Sequence, residues 1–249
     1  YYDFTPRNFY HFLEQRSIPY FQYLKFLKKM KPISSSTLNS FFNAYLNRAS
    51  SWLLKYSDGI VFQSELSKKM HLNFVGFDEN KIKSVVINNG VNLNDFYPKH
   101  CDKKLKGEPA LIISSSRFRL NKRLHEAVKL TNYLSKFLKG VHLHVLGEVS
   151  DMITESLNGI CTDKITLHGK VDPDRLVDYY SSADIMLSMS MFDPCPNVVV
   201  EGLACGLPVI TPEESGASEL VENPLWIVKE DMPLKYYELQ TIEAIPEVN

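Results

Sequence analysis

The chain has 249 residues, 44% of them hydrophobic, and its 28 basic side chains nearly balance 29 acidic ones. That apolar share is ample for a buried core in one or two domains, and the near-neutral charge argues against a dedicated nucleic-acid binder. No apolar run approaches the roughly 18 residues of a membrane span, and Tyr1-Tyr2-Asp3-Phe4 lacks the basic-then-apolar pattern of a signal peptide.

The first third is rich in aromatics and lysine, with Phe9, Tyr10, Phe12, Tyr20, Phe21, Tyr23 and Phe26 among Lys25, Lys28, Lys29 and Lys31. It reads as short helices and then a longer one over 36–56, whose apolar stripe is Phe41, Phe42, Tyr45, Leu46, Trp52 and Leu53. Packing on its own domain is the favoured role, and peripheral contact with a membrane surface is the alternative. A short strand at Gly59–Phe62 and a helix from about Ser64 follow. Next comes a buried strand over 84–91 that ends in an Asn-Gly turn. The polar, aperiodic stretch 98–108 reads as a linker between domains.

Beyond the linker the pattern is regular. Strands are expected at Ala110–Ser114, Val141–Leu146, Lys164–Leu167, Ile185–Met189, Pro208–Ile210 and Trp226–Val228. Helices are expected near 122–138, 151–157, 174–181, 197–205 and 217–221. Short apolar strands alternating with helices specify an α/β, doubly wound parallel sheet. Such a sheet binds its ligand beyond the carboxyl ends of the strands, and each motif below falls there.

The most informative stretch runs from Asp193 to Ile210. Asp193 and Glu201 flank a proline turn and an apolar helix, with Pro196 in its first turn and Gly206 and Pro208 ending it. The helix start offers free N–H groups to an anion. Beside it, carboxylates suit the hydroxyls of a sugar or ribose: Glu201 is placed for a ribose, and Asp193, in the loop, for a transferred sugar. The strand at 110–114 exits into Arg117 and Lys122, which are expected to converge on a diphosphate, while Arg119 and Arg123 are expected in solvent. Without a metal, Arg117, Lys122 and the helix start at Asn197 would have to stabilise a diphosphate leaving group. Glycine turns at Gly147 and Gly169 complete the rim. His168 reads as a packed turn histidine. The triplet Asp172-Pro173-Asp174 reads as a helix start with Asp172 as N-cap rather than as a metal site.

The absence of a Gly-x-Gly-x-x-Gly run or a phosphate-loop lysine leaves redox and NTPase readings unsupported. Cys101, Cys161, Cys195 and Cys205 match no zinc or redox spacing, so a reducing, cytoplasmic setting is expected. Cys195 and Cys205 read as buried, unreactive thiols.

From about Tyr45 to Val228 the chain resembles the retaining glycosyltransferases of family 4, the group 1 type. The carriers are Asn89-Gly90-Val91-Asn92, Arg117 with Lys122, the Gly147 and Gly169 turns, and the Asp193–Glu201 element with Ala204-Cys205-Gly206-Leu207-Pro208-Val209-Ile210. The resemblance implies a GT-B-type fold. Residues 1–98 would then be a helix-rich remnant of an N-terminal, acceptor-side domain, 99–230 a Rossmann-like domain for the nucleotide-sugar donor, and 231–249 a tail.

It further implies that Arg117 and Lys122 bind the donor diphosphate and that Glu201 holds the ribose. Asp193 would stand near the sugar with backbone amides of Asn197 and Val198, and the turn at Lys170 and Val171 would touch the base. No metal or other cofactor is expected. The implied reaction moves a hexose from a UDP- or GDP-sugar to a hydroxyl of a glycan or lipid-linked acceptor, with retention. Asp193 departs from the family's usual glutamate, and much of the N-terminal Rossmann half is not in this sequence. A non-catalytic sugar-nucleotide subunit that needs a partner chain and a nucleotide-sugar epimerase are the alternatives.

Overall fold

A computed structural model describes residues 57–75, 80–100, 105–191 and 193–229, all within a compact unit formed by Ala49–Asn249. The expected helix at 36–56 and the tail at 231–249 lie outside the described residues, as does Cys101. In chain order the elements are β1 (Gly59–Phe62), α1 (Glu65–Val75), β2 (Lys83–Val86), β3 (Ala110–Arg117), α2 (Leu124–Leu134), β4 (His142–Glu148), α3 (Asp151–Glu155), β5 (Ile165–Gly169), α4 (Pro173–Ser182), β6 (Ile185–Leu187), α5 (Asn197–Ala204), β7 (Val209–Pro212) and β8 (Ile227–Val228).

Six strands pair in parallel in the order β5-β4-β3-β6-β7-β8, and β1 pairs with β2, also in parallel. The order runs outward from β3 in both directions, which is the doubly wound arrangement. Alternation along β3 explains why both faces are covered. Leu111 and Ile113 join one core with Leu124, Ala127 and Val128 of α2. Ile112 joins the other with Val177 and Tyr180 of α4, Val199 of α5 and Val209 of β7. Successive strand side chains point to opposite faces, so three adjacent apolar residues serve two layers.

The differences from the expected elements are local. β3 runs three residues further than expected, to Arg117, with an irregularity in its pairing to β4 between Ser114 and Arg117. The helix expected at 122–138 is a 3₁₀ turn, Leu120–Lys122, followed by α2. The break falls at Arg123, whose φ of 50° is left-handed. Arg123, expected in solvent, is instead 4% exposed; its carbonyl accepts the N–H groups of Glu126 and Ala127, which starts α2. At 217–221 the expected helix is a 3₁₀ turn, Gly216–Glu219. The strand expected over 84–91 stops at Val86.

The β1–α1–β2 segment is tied to the large sheet by polar contacts. Both carboxylate oxygens of Glu219 accept backbone N–H groups at the start of α1, from Glu65 and Leu66, each at 2.8 Å. A carboxylate there satisfies otherwise unpaired donors and complements the helix dipole.

On the α4 face of β4 and β5 a line of polar rings replaces apolar packing. The Lys106 carbonyl accepts from His144 Nε2 at 2.8 Å, His144 Nδ1 lies 2.9 Å from His168 Nε2, and His168 Nδ1 lies 3.2 Å from the Tyr179 hydroxyl. A carbonyl only accepts, so the proton of neutral His144 sits on Nε2. Its Nδ1 therefore accepts from His168, whose own Nδ1 accepts from Tyr179. Beside them His142 Nε2 bonds Thr166 Oγ1 at 2.8 Å. This order gives each ring nitrogen of the line a partner without burying a charge there.

Burial, then the charges of His144, Lys106 and Lys164, hold His142 down at about 4. Burial, then His144 and Arg175, also lowers His168. Because these folded-state values lie below the ordinary value near 6.5, the unfolded chain binds more protons between them. Stability is therefore complete above about pH 6.5 and is lost as pH falls from there toward 4. Urea midpoints are expected to drop between pH 7.5 and 5.5, and a flat profile over that range would contradict the neutral line of rings.

Candidate functional site

A cleft of about 560 Å³ opens at the carboxyl edge of the sheet, beside the β3–β6 boundary where the strand order turns back. Its floor comes from Ser114, Ser115 and Ser116 at the end of β3 and from Leu146 and Gly147 of β4. Lys170 and Val171 after β5, and Asp193, Asn197, Val198 and Glu201 after β6, form its walls with Lys122. A second cavity of similar volume, beside Glu108, Ala110 and Asp184, has no basic side chain among the described residues of its lining. The first one carries the paired charges.

Of the residues singled out from the sequence, the fold brings Lys122, Gly147, Lys170, Val171, Asp193, Asn197, Val198 and Glu201 to this cleft. Arg117 is not among its lining residues. Its Nε donates to Glu148 Oε2 at 3.2 Å, across the β3–β4 pair, and its side chain is 62% exposed. The longer β3 explains this: Arg117 still belongs to the strand ladder opposite Glu148 and has not entered the loop.

Lys122 and Asp193 meet directly, Nζ to Oδ2 at 2.5 Å, with side chains only 21% and 16% exposed. The cation expected for a phosphate is thus held by the carboxylate expected for a sugar. The Asp193 loop is fixed from behind, where the Gly216 N–H donates to the Asp193 carbonyl at 2.8 Å. Asn197 and Val198 open α5, after Pro196 as N-cap. The N–H groups of Val199 and Val200 go to the Pro196 carbonyl, and the first two helical residues face the cleft. At the other end of α5, Gly206 and Leu207 return N–H bonds to Leu203 and Gly202, which stops the helix where the sequence indicated. Asp172 stands at the N-cap of α4 with Pro173 behind it, as expected, and makes no side-chain cap bond.

Glu201 is half-buried one turn into α5. Burial raises its carboxyl above the ordinary range, and a hydrogen bond from Tyr180 opposes the rise. Tyr180 of α4 is 1% exposed; its hydroxyl lies 3.0 Å from Ser114 Oγ and 3.3 Å from Glu201 Oε2. Burial drives the Tyr180 hydroxyl far above its ordinary value, so it stays protonated.

Some residues of the cleft had no binding role in the sequence reading, Asn89 among them although it helps carry the family resemblance. Gln63 and Asn89 reach the cleft from the β1–β2 segment. The Asn89 amide donates to Asn197 Oδ1 at 2.7 Å and to the Cys195 carbonyl at 3.1 Å, and it accepts from Gln63 Nε2 at 3.0 Å. The Asn-Gly pair suggested a turn, and only tertiary contact reveals Asn89 as a strut. Cys195 and Cys205 are buried and unpaired by disulfide, with both thiols pushed up by burial.

The sequence profile of the family described as glycosyl transferases group 1 matches residues 98–232. A viral relative (isolate Australia/Victoria), named as glycosyltransferase ORF31, is 24% identical over 79% of this chain and 57% of its own length. A second, named as a sucrose-phosphate synthase of Thermosipho melanesiensis, is 29% identical over 68% of this chain and 43% of its own. The chain thus spans about half the length of these relatives. Among solved structures, the pneumococcal O-GlcNAc transferase GtfA, in complex with UDP and GlcNAc, superposes with a TM-score of 0.59. It does so at 17% identity, over 79% of this chain and 38% of that one, which is a likeness of fold.

Gly147 has a structural task in the cleft floor. Its φ is +134°, and an added Cβ would lie 1.7 Å from the Ser115 carbonyl oxygen. Backbone cannot yield that far without opening the β3–β4 edge. Gly147→Ala is expected to lower unfolding free energy by about 2 kcal/mol or more, measured by urea denaturation. An unchanged midpoint would mean that the edge is looser than the geometry indicates.

Proposed function

Because the chain belongs to the group 1 glycosyl transferases, we propose that its cleft binds a UDP- or GDP-linked hexose. The cleft then serves transfer of that hexose to an acceptor hydroxyl, with retained anomeric configuration and without a bound metal. One observation supports this above others: a cation and a helix start share a wall with two carboxylates, at the carboxyl edge of a doubly wound sheet. Phosphate oxygens need the first pair, and sugar hydroxyls suit the second.

In this reading Lys122 and the N–H groups at Asn197 and Val198 receive the diphosphate. Glu201 accepts from the ribose, Asp193 faces the hexose, and the backbone at Lys170 and Val171 borders the base. Arg117 joins by exchanging Glu148 for a phosphate; that pair is exposed, and exposed pairs hold by about 1 kcal/mol or less. In transfer, the bond from the anomeric carbon to the diphosphate oxygen breaks, a bond to the acceptor oxygen forms, and the acceptor hydroxyl proton passes to the departing diphosphate. Charge grows on the leaving diphosphate, where fixed donors lower the barrier most. The glycan or lipid-linked acceptor would be supplied from the N-terminal side or by a partner chain. The UDP held by the pneumococcal transferase of like fold makes uridine the first base to test.

Calorimetry of the 249-residue chain with UDP and with GDP is expected to show binding of at least one. Lys122→Ala should weaken it by roughly 10-fold or more, the worth of a charge-assisted hydrogen bond. Arg117→Ala should act in the same direction and less strongly. If neither nucleotide binds, the donor-site reading falls.

A further inference from the structure

Glu201 does not stand alone in the cleft wall, and the group behind it is buried. The Tyr180 ring is packed in the core shared with Ile112, Met186, Val199 and Val209, and Phe96 lies against it with ring centroids 6.3 Å apart. Its hydroxyl has two oxygen neighbours, Ser114 at the end of β3 and Glu201 on α5. A phenol has one hydrogen to give. An ionised carboxylate only accepts, so with Glu201 charged that hydrogen goes to Glu201, and Ser114 donates its own to the Tyr180 oxygen. The order Ser114 to Tyr180 to Glu201 is the arrangement that satisfies all three groups.

We propose that Tyr180 is a positioning residue for the donor site, holding the Glu201 carboxylate ionised and turned toward the cleft through a buried hydroxyl relay that begins at Ser114. This rests on the reading of Glu201 as the ribose-binding carboxylate. The chemistry is general: a half-buried carboxyl drifts toward its neutral form unless a fixed donor meets the charge. A neutral carboxyl offers a ribose hydroxyl a weaker acceptor than a carboxylate does. The relay joins three elements, β3, α4 and α5, so it also sets the distance between the serine floor and the acidic wall. The burial that raises the Glu201 carboxyl, opposed by the Tyr180 bond, is the pattern such a role produces.

Tyr180→Phe keeps the ring and removes only the hydroxyl. In the unliganded chain, the Glu201 titration followed by carboxyl-carbon NMR is expected to move up by about one pH unit, the worth of a hydrogen bond to a charged group at its lower end. UDP affinity, measured by calorimetry from pH 7.5 to 5, should begin to fall about one unit earlier in the variant. In a Glu201→Gln background the profile should be the same with either residue at position 180. Ser114→Ala should give a smaller shift of the same sign, and it replaces Tyr180→Phe if that variant fails to fold. An unmoved Glu201 titration overturns the assignment of Tyr180. A moved titration with UDP binding absent or insensitive to Glu201 upholds the hold of Tyr180 on Glu201 and overturns the ribose reading instead.

Discussion

The strand order reverses at the β3–β6 boundary, and the site depends on that reversal. A parallel sheet delivers every strand's carboxyl end to one edge. Where successive connections leave in opposite directions, no loop covers that edge and a crevice remains. Lys122 arrives there from the exit of β3, Gly147 from β4, Lys170 and Val171 from β5, and the Asp193–Glu201 element from β6. Lys122 and Asp193 are 71 positions apart in the chain and meet because β3 and β6 are neighbours. The two apolar layers on either face fix the strand ends, which lets loop residues form a defined pocket.

Charge pairing sets how such a cleft would take its ligand. In the unliganded chain Lys122 is spent on Asp193, and Arg117 on Glu148. Under the proposed reading a diphosphate would therefore not meet Lys122 or Arg117 bare; it would replace their carboxylates. The Coulombic gain is the difference between two attractions, so it is smaller than either alone. Under the proposed reading the exchange frees Asp193 beside the incoming sugar. Phosphate at one end and hexose hydroxyls at the other would then be recognised together, and a free nucleotide lacking the sugar would leave Asp193 without its second partner.

The sheet and most of its helices were legible because period and punctuation agreed: apolar runs at β3, β4, β6 and β7, Gly206 with Pro208 at the end of α5, and Pro173 at the start of α4. The cleft residues after β4, β5 and β6 were legible for the same reason, since strand ends locate the edge. The losses have a common cause. Arg117, Arg119 and Arg123 look alike as a string, and three tertiary facts separate them. The extra strand residues turn Arg117 to Glu148, the left-handed turn buries Arg123, and Arg119 remains exposed. Tyr180 fell on the apolar face of a helix, where an aromatic needs no further account; only the approach of α5 makes its hydroxyl polar furniture of the site. Asn89 lies far from the Asp193 element in sequence, and no local pattern links them.

The two lips of the cleft are held by different physics. The lip at Lys170 and Val171 follows β5, whose His168 is joined through His144 of β4 to the Lys106 carbonyl, with Tyr179 closing the line from α4. Those groups are partly or wholly shielded, and breaking one bond leaves a neighbour unsatisfied in a poorly solvated place, which is costly. The opposite lip, Gln63 and Asn89, is held by amide bonds that are mostly exposed, and water can replace each of them at a net cost of about 1 kcal/mol. Ligand entry that needs widening would therefore move the Asn89 side. The Asn89 amide also bonds Asn197 at the start of α5, so a shift of that lip reaches the helix start proposed to receive the diphosphate.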